Sequence, residues 1–159
     1  MQLVVLCLGK LREKFWRDAA DEYIKRLSRY SKIEEIELPD EPEPADESEA
    51  LIKKVMDREA ERLLLRIKPG DYVIAMCIDG RQWDSAEYAK HLYELPQKGY
   101  QRAVFVIGGS LGLGQAVIDR ADEKLSLSKM TFPHQMARVI LLEQMYRFSK
   151  ITAGERYHK

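Results

Sequence analysis

Long apolar runs, cysteine pairs and a surplus of either charge are all missing from this 159-residue chain. No segment approaches the roughly 20 apolar residues that a membrane-spanning helix requires. The apolar opening at 3–8 has no basic leader before it and no small-residue cleavage site behind it, so it reads as a buried strand and not as an export signal. Cys7 and Cys77 are the only cysteines, each inside a predicted strand, with no CxxC or Cys/His cluster nearby. That excludes a disulfide scaffold and a zinc site, and predicts inert core thiols in a reducing cytosol. The 26 basic and 26 acidic residues cancel, which removes the overall basic footprint expected of a nucleic-acid binder. The charges are unevenly placed, however. Nine of the acids fall between Glu34 and Glu49, a window without Lys or Arg, and the remainder of the chain carries a surplus of nine positive charges. On charge alone, a solvated acidic loop beside mixed helix faces explains this as well as an anionic partner does.

What is present is an alternation of strands and helices over a chain long enough for one domain, 45% hydrophobic and 33% charged. The patterning predicts a strand at 2–8 and a helix over 13–30 with the stripe Trp16, Ala19, Ala20, Tyr23, Leu27 and Tyr30. A short strand at 33–38 runs into DEPEPADESE, whose prolines and acids forbid regular structure. Asp46 with Glu49 offers a cap for a helix reaching Arg66 that buries Ile52, Val55, Met56, Leu63 and Leu64. A turn at 68–71, a strand over 72–78, a second turn at Asp79-Gly80, a helix from the Asp84 cap to Leu95 and an apolar strand at 103–107 follow. The last third holds an amphipathic segment at 115–122, a brief strand at 124–127 and a long helix over 133–149, with Pro133 in its first turn. Residues 150–159 lack apolar period and read as a tail. The fold class is α/β, a mostly parallel sheet flanked by helices.

Three strings carry chemistry. GGSLGLG, directly after the 103–107 strand, puts bare backbone where open α/β sheets bind ligands. Gly109 and Gly114 have phosphate-loop spacing, but Gln115-Ala116 stands where a lysine and a hydroxyl are required; Gly112 and Gly114 begin a dinucleotide pattern that fails at Val117. A nucleoside triphosphatase is therefore excluded, and the cluster reads equally as a tight structural turn or a cofactor-facing loop. The second string, SLSKMTFPHQMAR at 126–138, joins a polar–apolar loop to a helix start whose N–H groups could wrap a neutral base or a carboxylate. His134 lies within it, a residue more often structural than catalytic in such a place. Glu143 precedes Arg147 by four, the spacing of an ordinary helical salt bridge. The third string is the end, where Arg156, Tyr157, His158 and Lys159 put cations beside an aromatic ring, a mix suited to RNA and equally to a frayed terminus.

Taken together, GGSLGLG, SLSKMTFPHQMARVILLEQMYR and the terminal RYHK resemble the bacterial ribosomal RNA large-subunit methyltransferase family known as RlmH, a minimal branch of the SPOUT superfamily, over nearly the whole chain. The resemblance implies one SPOUT-type domain over 1–159 with a C-terminal trefoil knot, S-adenosylmethionine as cofactor, no metal and a cytoplasmic homodimer. It implies as substrate N3 of a pseudouridine in 23S ribosomal RNA, presented by the assembled ribosome. Carried over by motif, the cofactor residues are Met76, Gly108, Leu127, Ser128, Lys129, Met130, Thr131 and Phe132. The tail is expected to complete the partner's site, with His158 removing the N3 proton, Tyr157 stacking and Arg156 holding phosphate. Two other readings compete: a ribosome- or RNA-binding module without chemistry, and a transfer-RNA methyltransferase of the same fold, the latter disfavoured by the lack of an appended RNA-binding segment.

Overall fold

A computed structural model describes residues 1–157; His158 and Lys159 lie outside the described residues. Five parallel strands form one sheet in the order β2-β1-β4-β3-β5: β1 (Gln2–Leu8), β2 (Ile33–Leu38), β3 (Tyr72–Arg81), β4 (Arg102–Ile107) and β5 (Glu123–Leu125). The central strands β1 and β4 are buried on both faces. That is why their sequences are nearly continuous apolar runs and not alternating ones.

The pleat sends alternate β1 residues to two separate cores. Leu3, Val5 and Cys7 join Phe105 and Ile107 of β4 beneath α1 (Lys14–Leu27), α3 (Ser85–Glu94) and α5 (His134–Thr152). Val4, Leu6 and Leu8 join Val104 and Val106 beneath α2 (Glu49–Leu64) and α4 (Gln115–Arg120). One consequence matters for function. The helices that follow the adjacent strands β3 and β4 leave toward opposite faces of the sheet, so a crevice opens at the carboxyl ends of those strands.

Several expected boundaries shift, each for a local reason. Ser48, not Asp46, caps α2, its hydroxyl accepting from the Leu51 N–H at 3.3 Å, while Asp46 accepts from the Ser48 N–H. Of the residues expected to be buried on α2 only Leu63 is fully so; Glu59 and Ala60 share that stripe. Pro133 stands just outside α5, which runs on to Thr152, so the expected tail begins three residues late. The expected turn at Asp79-Gly80 is instead a bulge within β3. Leu125 is paired with both Met76 and Arg81, and residues 77–80 bow outward between them. Glycine is required at position 80, where a Cβ would lie 2.6 Å from the Leu125 carbonyl carbon.

β5 is short, and polar contacts hold it in place. The Glu123 carboxylate accepts from the Tyr72 hydroxyl at 2.8 Å and from the Tyr88 hydroxyl, and lies 2.6 Å from His91 Nε2. Burial and the neighbouring carboxylate push both tyrosines well above the ordinary phenol range, so they remain donors. Fixing β5 fixes the start of the loop that follows it.

Candidate functional site

The crevice at the ends of β3, β4 and β5 is a cleft of about 990 Å³. Its walls come from five segments: Met76, Cys77, Ile78 and Asp79 on the β3 bulge; Ile107 at the end of β4 with the loop through Leu113; Gln115 and Ile118 on α4; Lys124, Leu125 and the loop from Leu127 to Pro133 apart from Lys129; and His134 and Ala137 at the start of α5. Each wall has a local cause. Gly108 is buried where a side chain would collide with backbone, because a Cβ there would meet the Gly112 carbonyl group at 2.6 Å. The GGSLGLG segment is thus both the tight turn and the cleft wall, not one or the other. In the fourth segment the Ser126 hydroxyl donates to the Ser128 carbonyl at 2.9 Å, and Ser128 Oγ accepts from the Met130 N–H at 3.0 Å. These local bonds hold the loop open as an arch over the strand ends. No side chain caps α5, so its first N–H groups lack a protein partner of that kind.

The electrostatics are nearly neutral. Among the described residues Asp79 and Lys124 are the only Asp, Glu, Lys or Arg on the walls, and they pair at 2.7 Å. Burial, and then the Arg138 charge, lower the His134 pKa below the ordinary imidazole value, favouring a neutral ring beside the cleft. Burial raises the Cys77 thiol as well. The expectation of two core thiols holds for Cys7, which is fully buried and pushed up to about 12 by that burial. It fails for Cys77, which lies on the cleft wall because of the β3 bulge.

Of the residues expected to touch a cofactor, the structure brings Met76, Gly108, Leu127, Ser128, Met130, Thr131 and Phe132 around this one space, whereas Lys129 is not on its wall. The tail residues lie elsewhere. Tyr157 sits on the middle of α5, its hydroxyl donating to Glu143 Oε1 at 3.1 Å and its ring packed by Tyr146 and the Arg147 guanidinium, each about 4.8 Å away centre to centre. Arg156 is exposed, and His158 lies outside the described residues. Glu143 and Arg147 do form the expected helical pair at 2.5 Å, but its role as a seat for Tyr157 could not be read from spacing. Nor could the burial of Arg138, which is fully enclosed against Glu35, Glu37 and the Gly9 carbonyl. Among the described residues no His, Cys, Asp and Glu group could hold a metal, and no helix is long and apolar enough to cross a membrane.

The family model described as "Predicted SPOUT methyltransferase" matches residues 1–158. The chain belongs to the SPOUT methyltransferase family. A protein of Methanococcus vannielii named "Putative ribosomal RNA large subunit methyltransferase H" is 48% identical over 159 residues, covering all of both chains. Among solved structures, a probable methylase family protein from Haemophilus influenzae shares 13% identity and a TM-score of 0.51, over 99% of this chain and 70% of that one, which shows the fold alone. The SpoU methyltransferase AviRb from Streptomyces viridochromogenes, solved in complex with the cofactor AdoMet, is 12% identical with a TM-score of 0.43, over 92% of this chain and 57% of that one; it is too distant to argue from.

As a SPOUT methyltransferase this chain uses S-adenosylmethionine, and the walls fit such a ligand. An adenosine moiety is flat, neutral and rich in groups that backbone can satisfy. The cleft offers Met76, Ile78, Leu127 and Phe132 as apolar surface, glycine and loop backbone, and no cluster of cations suited to a polyphosphate.

Proposed function

We propose that this chain transfers a methyl group from S-adenosylmethionine to N3 of a pseudouridine in 23S ribosomal RNA, acting as a cytosolic homodimer on the assembled ribosome. The observation that carries the reading is the neutral cleft at the carboxyl ends of β3, β4 and β5, in a SPOUT chain 48% identical over its full length to a protein named for ribosomal RNA.

When bound, the cofactor supplies an electrophilic methyl on a sulfonium sulfur. The protein's principal work is alignment, holding N3 in line with that methyl at attacking distance. The loop at 126–133 forms one wall beside the ligand space, and the glycine loop allows close approach from the sheet side. With the methyl delivered to N3, the imide proton of N3 would have to pass to a base of this protein. We assign that role to His158, with Arg156 holding phosphate. The Glu143–Arg147 seat holds the Tyr157 ring against α5, which adds an anchoring role to the stacking role expected of it.

The cleft meets α5 only at His134 and Ala137, and Tyr157 rests six to ten residues farther along that helix, about 9–15 Å by helical rise. A tail anchored there is better placed to serve a second protomer packed on α5, whose Met136, Val139 and Ile140 remain half-exposed.

The test is transfer of labelled methyl to purified ribosomes lacking this modification, with free 23S RNA, separate subunits and transfer RNA alongside. Label in assembled ribosomes alone supports the reading; label in transfer RNA overturns the substrate; cofactor binding without label favours a non-catalytic module. His158→Ala leaving single-turnover methylation intact, with cofactor still bound, would remove His158 from the mechanism.

A further inference from the structure

We propose that Asp79 and Lys124 grip the amino-acid arm of the cofactor, Lys124 taking its carboxylate and Asp79 its ammonium. The inference rests on the cofactor reading above and adds two residues that the family motifs do not single out.

The adenosine part of S-adenosylmethionine is neutral, and apolar walls with free backbone suffice for it. The arm is different, because it carries one carboxylate and one ammonium on the same carbon. Leaving either unpaired against apolar walls is costly. Among the residues lining the cleft, one carboxylate and one ammonium are available, and they lie 2.7 Å apart. Their separation matches a ligand whose two charges are neighbours.

Position strengthens the case. Neither side chain reaches the cleft by chance flexibility. The β3 bulge carries Asp79 outward, and the bare backbone of Gly80 packs on the backbone of Lys124 and Leu125. The two residues are thereby fixed as neighbours by main-chain contact. Their mutual bond is weakly held, with 74% of the Asp79 side chain and 41% of the Lys124 side chain exposed, so exchanging it for two ligand bonds costs little. Each also keeps its partner charged at neutral pH: the hydrogen bond from Lys124 lowers the Asp79 pKa, and the same bond raises that of Lys124.

The test compares S-adenosylhomocysteine with 5′-methylthioadenosine, which has the same nucleoside and sulfur but no amino-acid arm. Binding is measured by titration calorimetry on the full chain. Wild type should favour the ligand with the arm. Asp79→Asn and Lys124→Met should each weaken S-adenosylhomocysteine roughly tenfold, the worth of one charge-assisted bond, while 5′-methylthioadenosine stays within about twofold. The double variant should hold the two ligands nearly alike. Unchanged binding of S-adenosylhomocysteine, or equal weakening of both ligands, would overturn the assignment and leave the pair a surface bridge. Failure of wild type to bind either ligand would instead overturn the cofactor reading on which it rests.

Discussion

The carboxyl end of the sheet is built in two contrasting halves, and adjacent residues of α5 serve them. Over β3, β4 and β5 the protein leaves a cleft of about 990 Å³ with one charge pair on its wall. Over β1 and β2 it packs in its own charges. There Arg138 donates to Glu37 Oε2 at 2.6 Å and to the Gly9 carbonyl at 3.0 Å, and Arg17 pairs with Glu35 at 2.6 Å. Ala137 faces the first half and Arg138 seals the second. The same strand ends therefore became a binding site or a structural joint according to which side chains arrived. A joint made of charges finds most of its partners within the protein, with only the Arg138 Nε left without an acceptor among the described residues, whereas a cleft of backbone and apolar groups is completed by a ligand.

Four substitutions test that division, from the largest expected effect to the smallest. Arg138→Met should cost about 3 kcal/mol of stability, because it takes the buried partner from Glu37 and leaves Glu35 to Arg17 alone. Denaturant unfolding reads the loss, and adding Glu37→Gln should restore part of it; a loss below 1 kcal/mol would show that the joint is no more than surface pairing. Gly108→Ala drives a Cβ into the Gly112 backbone and should cost about 2 kcal/mol while weakening cofactor binding at least tenfold. Ala137→Leu narrows the cleft from α5 and should weaken cofactor binding about tenfold with a stability change under about 1 kcal/mol, the opposite signature to its neighbour Arg138. Calorimetry and thermal unfolding on the same samples separate the two effects.

The smallest effect is on pH. His134 has a lowered pKa in the folded chain, so the unfolded chain binds the extra proton first as pH falls through the ordinary imidazole range near 6.5. Stability should therefore decline on acidification from about pH 7, and the contribution should vanish in His134→Asn. Melting temperatures at pH 7.5 and 5.5 should differ between the two proteins by only a degree or two; an identical slope would show that His134 is solvated in both states.

Much of this architecture was legible beforehand. Parallel strands buried on both faces must be apolar throughout, so 2–8 and 103–107 announced themselves, and Asp84 capped α3 as its sequence position required, its carboxylate accepting from the Ala86 and Glu87 N–H groups. The glycine loop and the 126–132 loop were legible from their residues only as candidate ligand-facing segments, the first equally as a tight turn, and the family resemblance assigned both to the cofactor. What escaped was set by contacts distant in sequence. The β3 bulge exists because Gly80 meets Leu125, 45 positions later; Cys77 and Asp79 became wall residues only through it. Arg138 lies on a helix that could equally have turned it to solvent, until Glu37 and the Gly9 carbonyl claimed it. The seat of Tyr157 depends on the tail doubling back along α5, which no local pattern encodes.

The sequence by itself determined the alternation of elements, the two-sided burial of the sheet and the backbone-rich loops that make the cleft, because these follow from periodicity and from the conformational limits of single residues. The tertiary structure alone decided which charges would be sealed and which would face a ligand. Pairing of Arg138 with Glu37, or of Lys124 with Asp79, depends on strand order and register, and those are properties of the folded whole.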